Sequence, residues 1–524
     1  MVSIYFPSMN KRLIIITPLV IILGYLLRVW GQPASYYWTS DIARDFLVGS
    51  HIAIYGESLF VGHTAAGFGT SFYYPPYTYY LYALLQHIFP TPELLIGFFL
   101  LMHAVSIGLL VVAVYKLFGK DAALFTGIFI ALSAKMIDIS RFMLVSPALP
   151  LLYVALLFCI YAIKKQSLGY LSCGIFCVLY ASMFHYSALL YVPLLYIVWV
   201  AGMKKKSAFA LLAPLAISAS IFVLLLIPLI HYFGPYEILR HLSPQNNFSG
   251  NVIGWGEAFP SLIQRYLTLI FMDNSALGIS TLLGISAIIV IRRGWRWLVP
   301  AILMLGYIGA VIAAMACMRA SVQDHFFIYF IPVCITISGY VFGRYRNVLP
   351  NNALGHLIFI FPFVIFLFSI SGRFSYLYSS QPLGLTQSRA IAKNISTYIQ
   401  QRDEIDGSFQ HSVRVYVSGP NSPIWGTSTI MYFLEKDLHK KLIYLINSDT
   451  SIAQYNSDDY IIVACRYLTK DTLAYWNINS LQWNKNVCIA NFLHKFPQYA
   501  AYSLKELSDL NIYDAQILLF SARH

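Results

Sequence analysis

The chain has 524 residues, 58% of them hydrophobic and only 11% charged, with a mean hydropathy of +0.65. Soluble globular domains carry roughly 25% charged residues, so most of this chain is not made to face water. The formal net charge of +13 fits loops on the cytoplasmic side of a membrane, which collect Lys and Arg, and nucleic acid is excluded as a partner.

The first predicted element is the apolar run Leu13–Leu27, preceded by Lys11-Arg12 and closed by Arg28 with no small-residue cleavage site. It reads as an uncleaved span running from inside to outside. A long outer loop follows at about 31–92. Its opening segment Trp38–Val48 (WTSDIARDFLV) predicts a helix on which Asp41, Arg44 and Asp45 share a face through i, i+3 and i+4 spacing, with Thr39 or Ser40 as N-cap. One carboxylate there suits a general base, and the same spacing also suits a local ion pair on an interfacial helix. Gly62–Pro76 is a Gly-rich connection ending in a stiff Pro pair. Tyr77–Phe89 is too short to span and predicts an amphipathic helix in the interface, where aromatic rings are favoured.

Further apolar runs near spanning length lie at 93–115, 122–140, 145–163, 167–184, 187–202, 208–230, 276–291, 297–316, 326–343 and 355–372. With the first they make about eleven transmembrane helices, an odd number, so the C-terminal tail lies opposite the cytoplasmic N-terminus. Lys11-Arg12, Lys116 and Lys120, Lys164-Lys165, Lys204-Lys205-Lys206, Arg292-Arg293-Arg296, and Arg344 with Arg346 then all fall on the cytoplasmic side, as positive loops should. Of the ten acids before residue 380 only Asp121 shares that side. Chemistry is therefore expected outside, where a second long loop covers 231–275.

The tail, 380–524, holds twelve of the 22 acids. Gln387–Gln401 and Ser428–Lys441 predict helices, and Val413–Ser418, Tyr460–Cys465 and Ile517–Ser521 predict strands, which together suggest a small α/β domain. The chain thus reads as an all-α polytopic membrane protein over 1–379 with a periplasmic or extracellular α/β domain over 380–524. Cys159, Cys173, Cys177, Cys317 and Cys334 sit in apolar runs as small hydrophobes. Cys465 and Cys488 share the tail, where an oxidising compartment could pair them. No cysteine spacing matches a zinc site. His103, alone in a span, is expected to be a packing residue. His185, at the outer end of its span beside Tyr186, is either that or part of a site.

Several segments resemble, in order, the GT-C superfamily of membrane glycosyltransferases, in particular the bacterial branch of aminoarabinose transferases and protein O-mannosyltransferases. In that branch an Asp-Glu pair, Arg and an aromatic open the first outer loop. Here Asp41 and Arg44 match, while Ile42 stands in place of Glu. Tyr74-Pro75-Pro76-Tyr77 with Tyr79-Tyr80-Leu81 looks like the family's juxtamembrane helix, and Tyr115-Lys116-Leu117-Phe118-Gly119 like its second span and turn. Leu132-Ser133, Ser140-Arg141, His185–Leu190 with Pro193, and Asp324-His325-Phe326 through Pro332 continue the likeness, which covers about 10–345.

The resemblance implies an inverting transfer of a sugar from a polyprenyl-phosphate donor, in the bilayer, to an acceptor glycan, lipid or protein at the outer face of a bacterial inner membrane. Asp41, or Asp45 beside it, would be the base. Arg44, Arg141, Arg319 and His325 would hold the donor phosphate, since Arg binds phosphate with a fork of donors. Arg240, Arg265 and Lys135 are also available at that face, and any of these cations could instead snorkel to headgroups. Tyr73, Tyr74, His185 and Tyr329 would line a sugar or lipid groove. The family's second Asp, before a Pro, is absent at Ser146-Pro147, so either Asp138, Asp324 or Asp45 supplies that acid or this branch needs only one, and a divalent metal stays open. Asp41 with His51 alone is not a metal site. A transporter or flippase of lipid-linked glycans is the alternative. Against it stand the uncharged span centres and the lack of internal symmetry. A membrane-anchored receptor would need neither the reactive-looking loop nor so many spans.

Overall fold

In a computed structural model of the chain, the described residues are 11–32, 40–62, 73–141, 147–202, 208–236, 385–406, 413–418, 428–439, 442–445, 460–466, 503–506 and 515–521, with a few isolated positions between them. They fall into two compact units: one comprises 1–30, 57–81 and 87–378, the other 31–56, 82–86 and 379–524. Two pieces of the first outer loop, 31–56 and 82–86, group with the tail, because a buried aromatic cluster described below joins them to it.

The first unit is helical. Helix α1 (Lys11–Val29) packs along α4 (Pro92–Phe118), which starts where Thr91 accepts a hydrogen bond from the Leu94 amide and Pro92 takes a position needing no donor. At 27 residues α4 is about 40 Å long, enough to cross the ~30 Å hydrocarbon core. α5 (Lys120–Leu132) lies against both, and at Gly127 a Cβ would stand 2.7 Å from Val111 Cγ2. A bare backbone there lets the helices close up where no hydrophobic force separates protein from lipid tails. α7 (Ala148–Lys165) and α8 (Leu168–Ser182) complete the core with α9 (Tyr191–Gly202). That core is a continuous cluster of buried Leu, Ile, Val, Ala and Phe from α1, α4, α5, α7 and α9. Ile15, Leu19, Ile22 and Leu26 on the other face of α1 stay exposed, as suits contact with acyl chains.

Two expected spans are bent pairs. The run at 122–140 breaks by 55° between α5 and α6 (Ala134–Arg141). At the break Ser133 is extended (ψ 115°), and its Oγ accepts from the Met136 amide to start the second helix. The run at 208–230 breaks by 53° between α10 (Ala208–Leu225) and α11 (Ile227–Phe233), where Pro228 lacks the amide that would continue the ladder. Among the described residues two helices, Pro92–Lys116 and Ala148–Lys165, are long and apolar enough to cross a membrane, and up to four spans arise if each bent pair is one. The expected spans from 276 onward lie almost wholly outside the described residues.

The second unit holds α2 (Ser40–Tyr55), the middle of α3 (Tyr77–Ile88), α12 (Leu385–Asp406) and α13 (Ser428–Leu438). It also holds a five-stranded sheet, ordered β2-β1-β3-β5-β4. The strands are β1 (Val413–Ser418), β2 (Ile443–Leu445), β3 (Tyr460–Arg466), β4 (Ser503–Glu506) and β5 (Ala515–Ser521). β1 is parallel to β2 and β3, pairing Val415 with Tyr444 and with Ile462, and β5 runs antiparallel to β3 and β4. Because β1 and β2 are parallel, the chain needs a crossover between them, and α13 is that crossover.

Candidate functional site

In the second unit, α2 carries the sharpest candidates. Asp41 is the second residue of the helix. Arg44 turns to its chain neighbour, donating from Nε (2.9 Å) and Nη2 (2.8 Å) to Asp45 Oδ1. Arg44 and Asp45 thus form a pair in which the Asp45 side chain is 3% exposed. A carboxylate oxygen already accepting two guanidinium bonds has little capacity left to take a proton from an acceptor.

α2 is held by rings. Trp38 lies edge-on to Phe46 (5.2 Å between centroids) and to Tyr432 (5.7 Å), and Phe46 stacks on Tyr82 at 5.3 Å. These rings, with Phe433, are all buried. Such pairs add about 0.5–1.5 kcal/mol each beyond the area they bury. The Gln86 amide donates to the Phe46 carbonyl at 2.9 Å. Further along α2, His51 Nε2 meets Glu435 Oε2 of α13 at 2.6 Å, both side chains buried.

In the first unit, two expected groove residues, Tyr73 and Tyr74, meet at Tyr186. Tyr74 and Tyr186 stack at 4.1 Å and 13°. The Tyr186 amide donates to the Tyr74 hydroxyl (3.1 Å), and the Tyr186 hydroxyl donates to the Tyr73 carbonyl (2.7 Å). His185 is extended and buried at the start of the 3-10 turn Tyr186–Leu190. Burial, then the neighbouring Tyr74, holds the Tyr186 hydroxyl well above its ordinary range, so it stays a donor. Tyr74 and Tyr186 are buried, whereas the half-buried Tyr73 stacks on Phe233 at 5.2 Å. Tyr73 is therefore the ring of the three best placed to form a wall.

Arg141, a candidate for the donor phosphate, is 1% exposed. Its Nε donates to the Arg28 carbonyl (3.0 Å) and its Nη2 to those of Leu27 (3.1 Å) and Trp30 (3.0 Å). These are carbonyls at the C-terminus of α1, which lack intrahelical partners and favour a cation. Arg28, fully buried, in turn donates to Ile130 and Ala131 at the end of α5, to Gly24, and to His103 Nδ1 at 3.1 Å. Arg141 of α6 thus caps α1 while Arg28 of α1 caps α5, which ties both sides of the α5–α6 bend to the end of α1. His103 is a partner in this packing, and its Nε2 and the neighbouring Tyr153 hydroxyl are buried without a hydrogen-bond partner among the described residues. Arg28 carried a signal that spacing analysis passes over: a cation at the end of an apolar run, which in a membrane needs named partners.

Asp138 is half-buried on α6, one turn before Arg141. Arg319, Asp324, His325, Tyr329 and the Cys465–Cys488 pairing lie outside what is described. Among the described residues no group of three His, Cys, Asp or Glu gathers as a metal would require, and His51 and Asp45 each face another partner.

No protein-family model and no curated protein matches the sequence. Solved structures do match in fold. ArnT from Cupriavidus metallidurans bound to undecaprenyl phosphate superposes with a TM-score of 0.59 at 11% identity, over 98% of this chain and 99% of that one. The apo state of the same protein gives 0.56 at 11% identity over 98% of each chain. The oligosaccharyltransferase of Archaeoglobus fulgidus, in complex with Zn and sulfate, gives 0.51 at 12% identity over 97% of this chain and 73% of that one. The chain shares the fold of these two proteins.

Proposed function

We propose that this protein is a polyprenyl-phosphate-dependent glycosyltransferase acting at the outer face of a bacterial inner membrane. The observation that carries the reading is α2. In a chain matched end to end by a GT-C fold, the helix opening the first outer loop bears Asp41 and a partly buried Arg44–Asp45 pair. An undecaprenyl phosphate on a structural neighbour supports a lipid-phosphate donor here. The reading includes about eleven spans, a cytoplasmic N-terminus and an outer-face sheet domain.

Asp41 takes the proton of an acceptor hydroxyl or amine. The acceptor atom bonds the anomeric carbon as the bond to the phosphate oxygen breaks, with inversion, and the polyprenyl phosphate leaves as an anion. Asp45 is the weaker choice of base because Arg44 occupies its Oδ1. Arg44, Arg319 and His325 hold the departing phosphate. Arg141 acts by fixing the end of α1. Asp138 or Asp324 supplies the second acid, and Tyr73, Tyr74, His185 and Tyr329 line the groove. The acceptor is a glycan, lipid or secreted protein.

The test is mass spectrometry of polyprenyl-phosphate lipids and surface glycans in cells lacking the gene, complemented with wild type or Asp41→Asn. Accumulation of a lipid-linked sugar that wild type clears and Asp41→Asn does not, at equal membrane levels, supports the reading and names the donor. Full rescue by Asp41→Asn moves the base to Asp45 or Asp324. No change in any lipid-linked sugar refutes the transferase and favours a transporter.

A further inference from the structure

α2 bears its candidate chemistry in its first two turns, and its second half is held by the tail. Ring contacts around Trp38 and Phe46 fix its distance from α13 but tolerate sliding. The bond from His51 Nε2 to Glu435 Oε2 does not, being short, buried and directional. Glu435 is itself anchored: its Oε1 accepts from the backbone amide of Leu442, at 2.9 Å, directly before β2. A chain of fixed groups therefore runs from the edge of the sheet, through Leu442, Glu435 and His51, into α2. His51 lies seven residues from Arg44, two turns on the same face, and about 15 Å along the helix from Asp41.

We propose that Glu435 is a positioning residue for the transfer reaction: through His51 it sets the rotation and height of α2 and so aims Asp41 and the Arg44–Asp45 pair. The tail is then a working part of the active site and not merely a cover over it. The proposal rests on the transferase reading of α2.

The test uses the full-length protein, purified for hydrogen exchange and expressed in deletion cells for lipid analysis. Glu435→Ala is expected to speed exchange across residues 40–55 by at least about tenfold while α1, α4 and α7 keep their protection. At equal membrane levels it is expected to slow clearance of the lipid-linked sugar by about 100-fold, the scale of a misaimed group. Glu435→Gln keeps an oxygen for Leu442 and a polar partner for His51, and it should restore at least about half of the clearance, which simple loss of folded protein would not explain. If Glu435→Ala does not reach the membrane, His51→Gln, which leaves Glu435 on Leu442, carries the same two readouts. Unchanged exchange in α2, or clearance at the wild-type rate despite a loosened α2, overturns the proposal while the transferase reading stands. If wild type clears no lipid-linked sugar, the transferase reading fails and this proposal falls with it.

Discussion

Replacing Arg141 with Ala removes three hydrogen bonds of 3.0–3.1 Å from the end of α1. Bonds to a charged donor are worth about 1.5–3 kcal/mol each, so the gross loss is about 5–9 kcal/mol. The substitution also relieves the cost of burying a cation that is 1% exposed, and neighbouring groups can satisfy part of the helix end, which leaves a net destabilisation of about 2–4 kcal/mol. In a thermal-shift assay on detergent-solubilised protein this corresponds to a fall of about 2–4 °C in apparent melting temperature. Arg141→Lys keeps the charge but replaces a planar fork with a single ammonium, and should recover about half of that fall. A melting temperature for Arg141→Ala within about 1 °C of wild type would show that the α1 carbonyls find other donors, and that the Arg141 cap on α1 does not hold the bend.

At Gly49 a Cβ would stand 2.9 Å from Tyr82 Cβ and 3.2 Å from the Ala83 backbone nitrogen, so Gly49→Ala should cost about 1–3 kcal/mol by overpacking, measured as a lowered melting temperature. Tyr186→Phe loses the donor to the Tyr73 carbonyl but keeps the stack on Tyr74; the expected cost is about 1 kcal/mol, with exchange rising around residue 73 in peptide-resolved hydrogen exchange. Asp41→Asn should slow transfer by about 100-fold or more, the scale of a lost general base, while Asp45→Asn, with Arg44 on its Oδ1, should act mainly through stability. Lipid profiling alongside melting separates the two, and equal loss of transfer at unchanged melting would place Asp45 in the chemistry.

Local chemistry already written in the residues accounts for much of this protein. Uninterrupted apolar length required α4 and α7, because only a helix satisfies its own backbone in lipid. Val413–Ser418, Tyr460–Cys465 and Ile517–Ser521, read as strands, lie within β1, β3 and β5. The order of short motifs pointed to the GT-C fold. The partners of charged groups were settled elsewhere. Arg44 and Asp45 are chain neighbours, a pairing that helical i, i+3 and i+4 spacing does not mark, yet the fold brings the Arg44 guanidinium onto Asp45 Oδ1. Arg28 and His103 lie 75 residues apart, and His51 and Glu435 lie 384 apart; neither pair has a periodicity to betray it. The bends at Ser133 and Leu226 interrupt runs whose hydropathy is continuous, since hydropathy records what a side chain prefers as solvent and is blind to where a backbone ladder is broken and what then caps its ends. Which polar group meets which is a property of the packed chain, because a buried charge takes the partner that folding brings within reach.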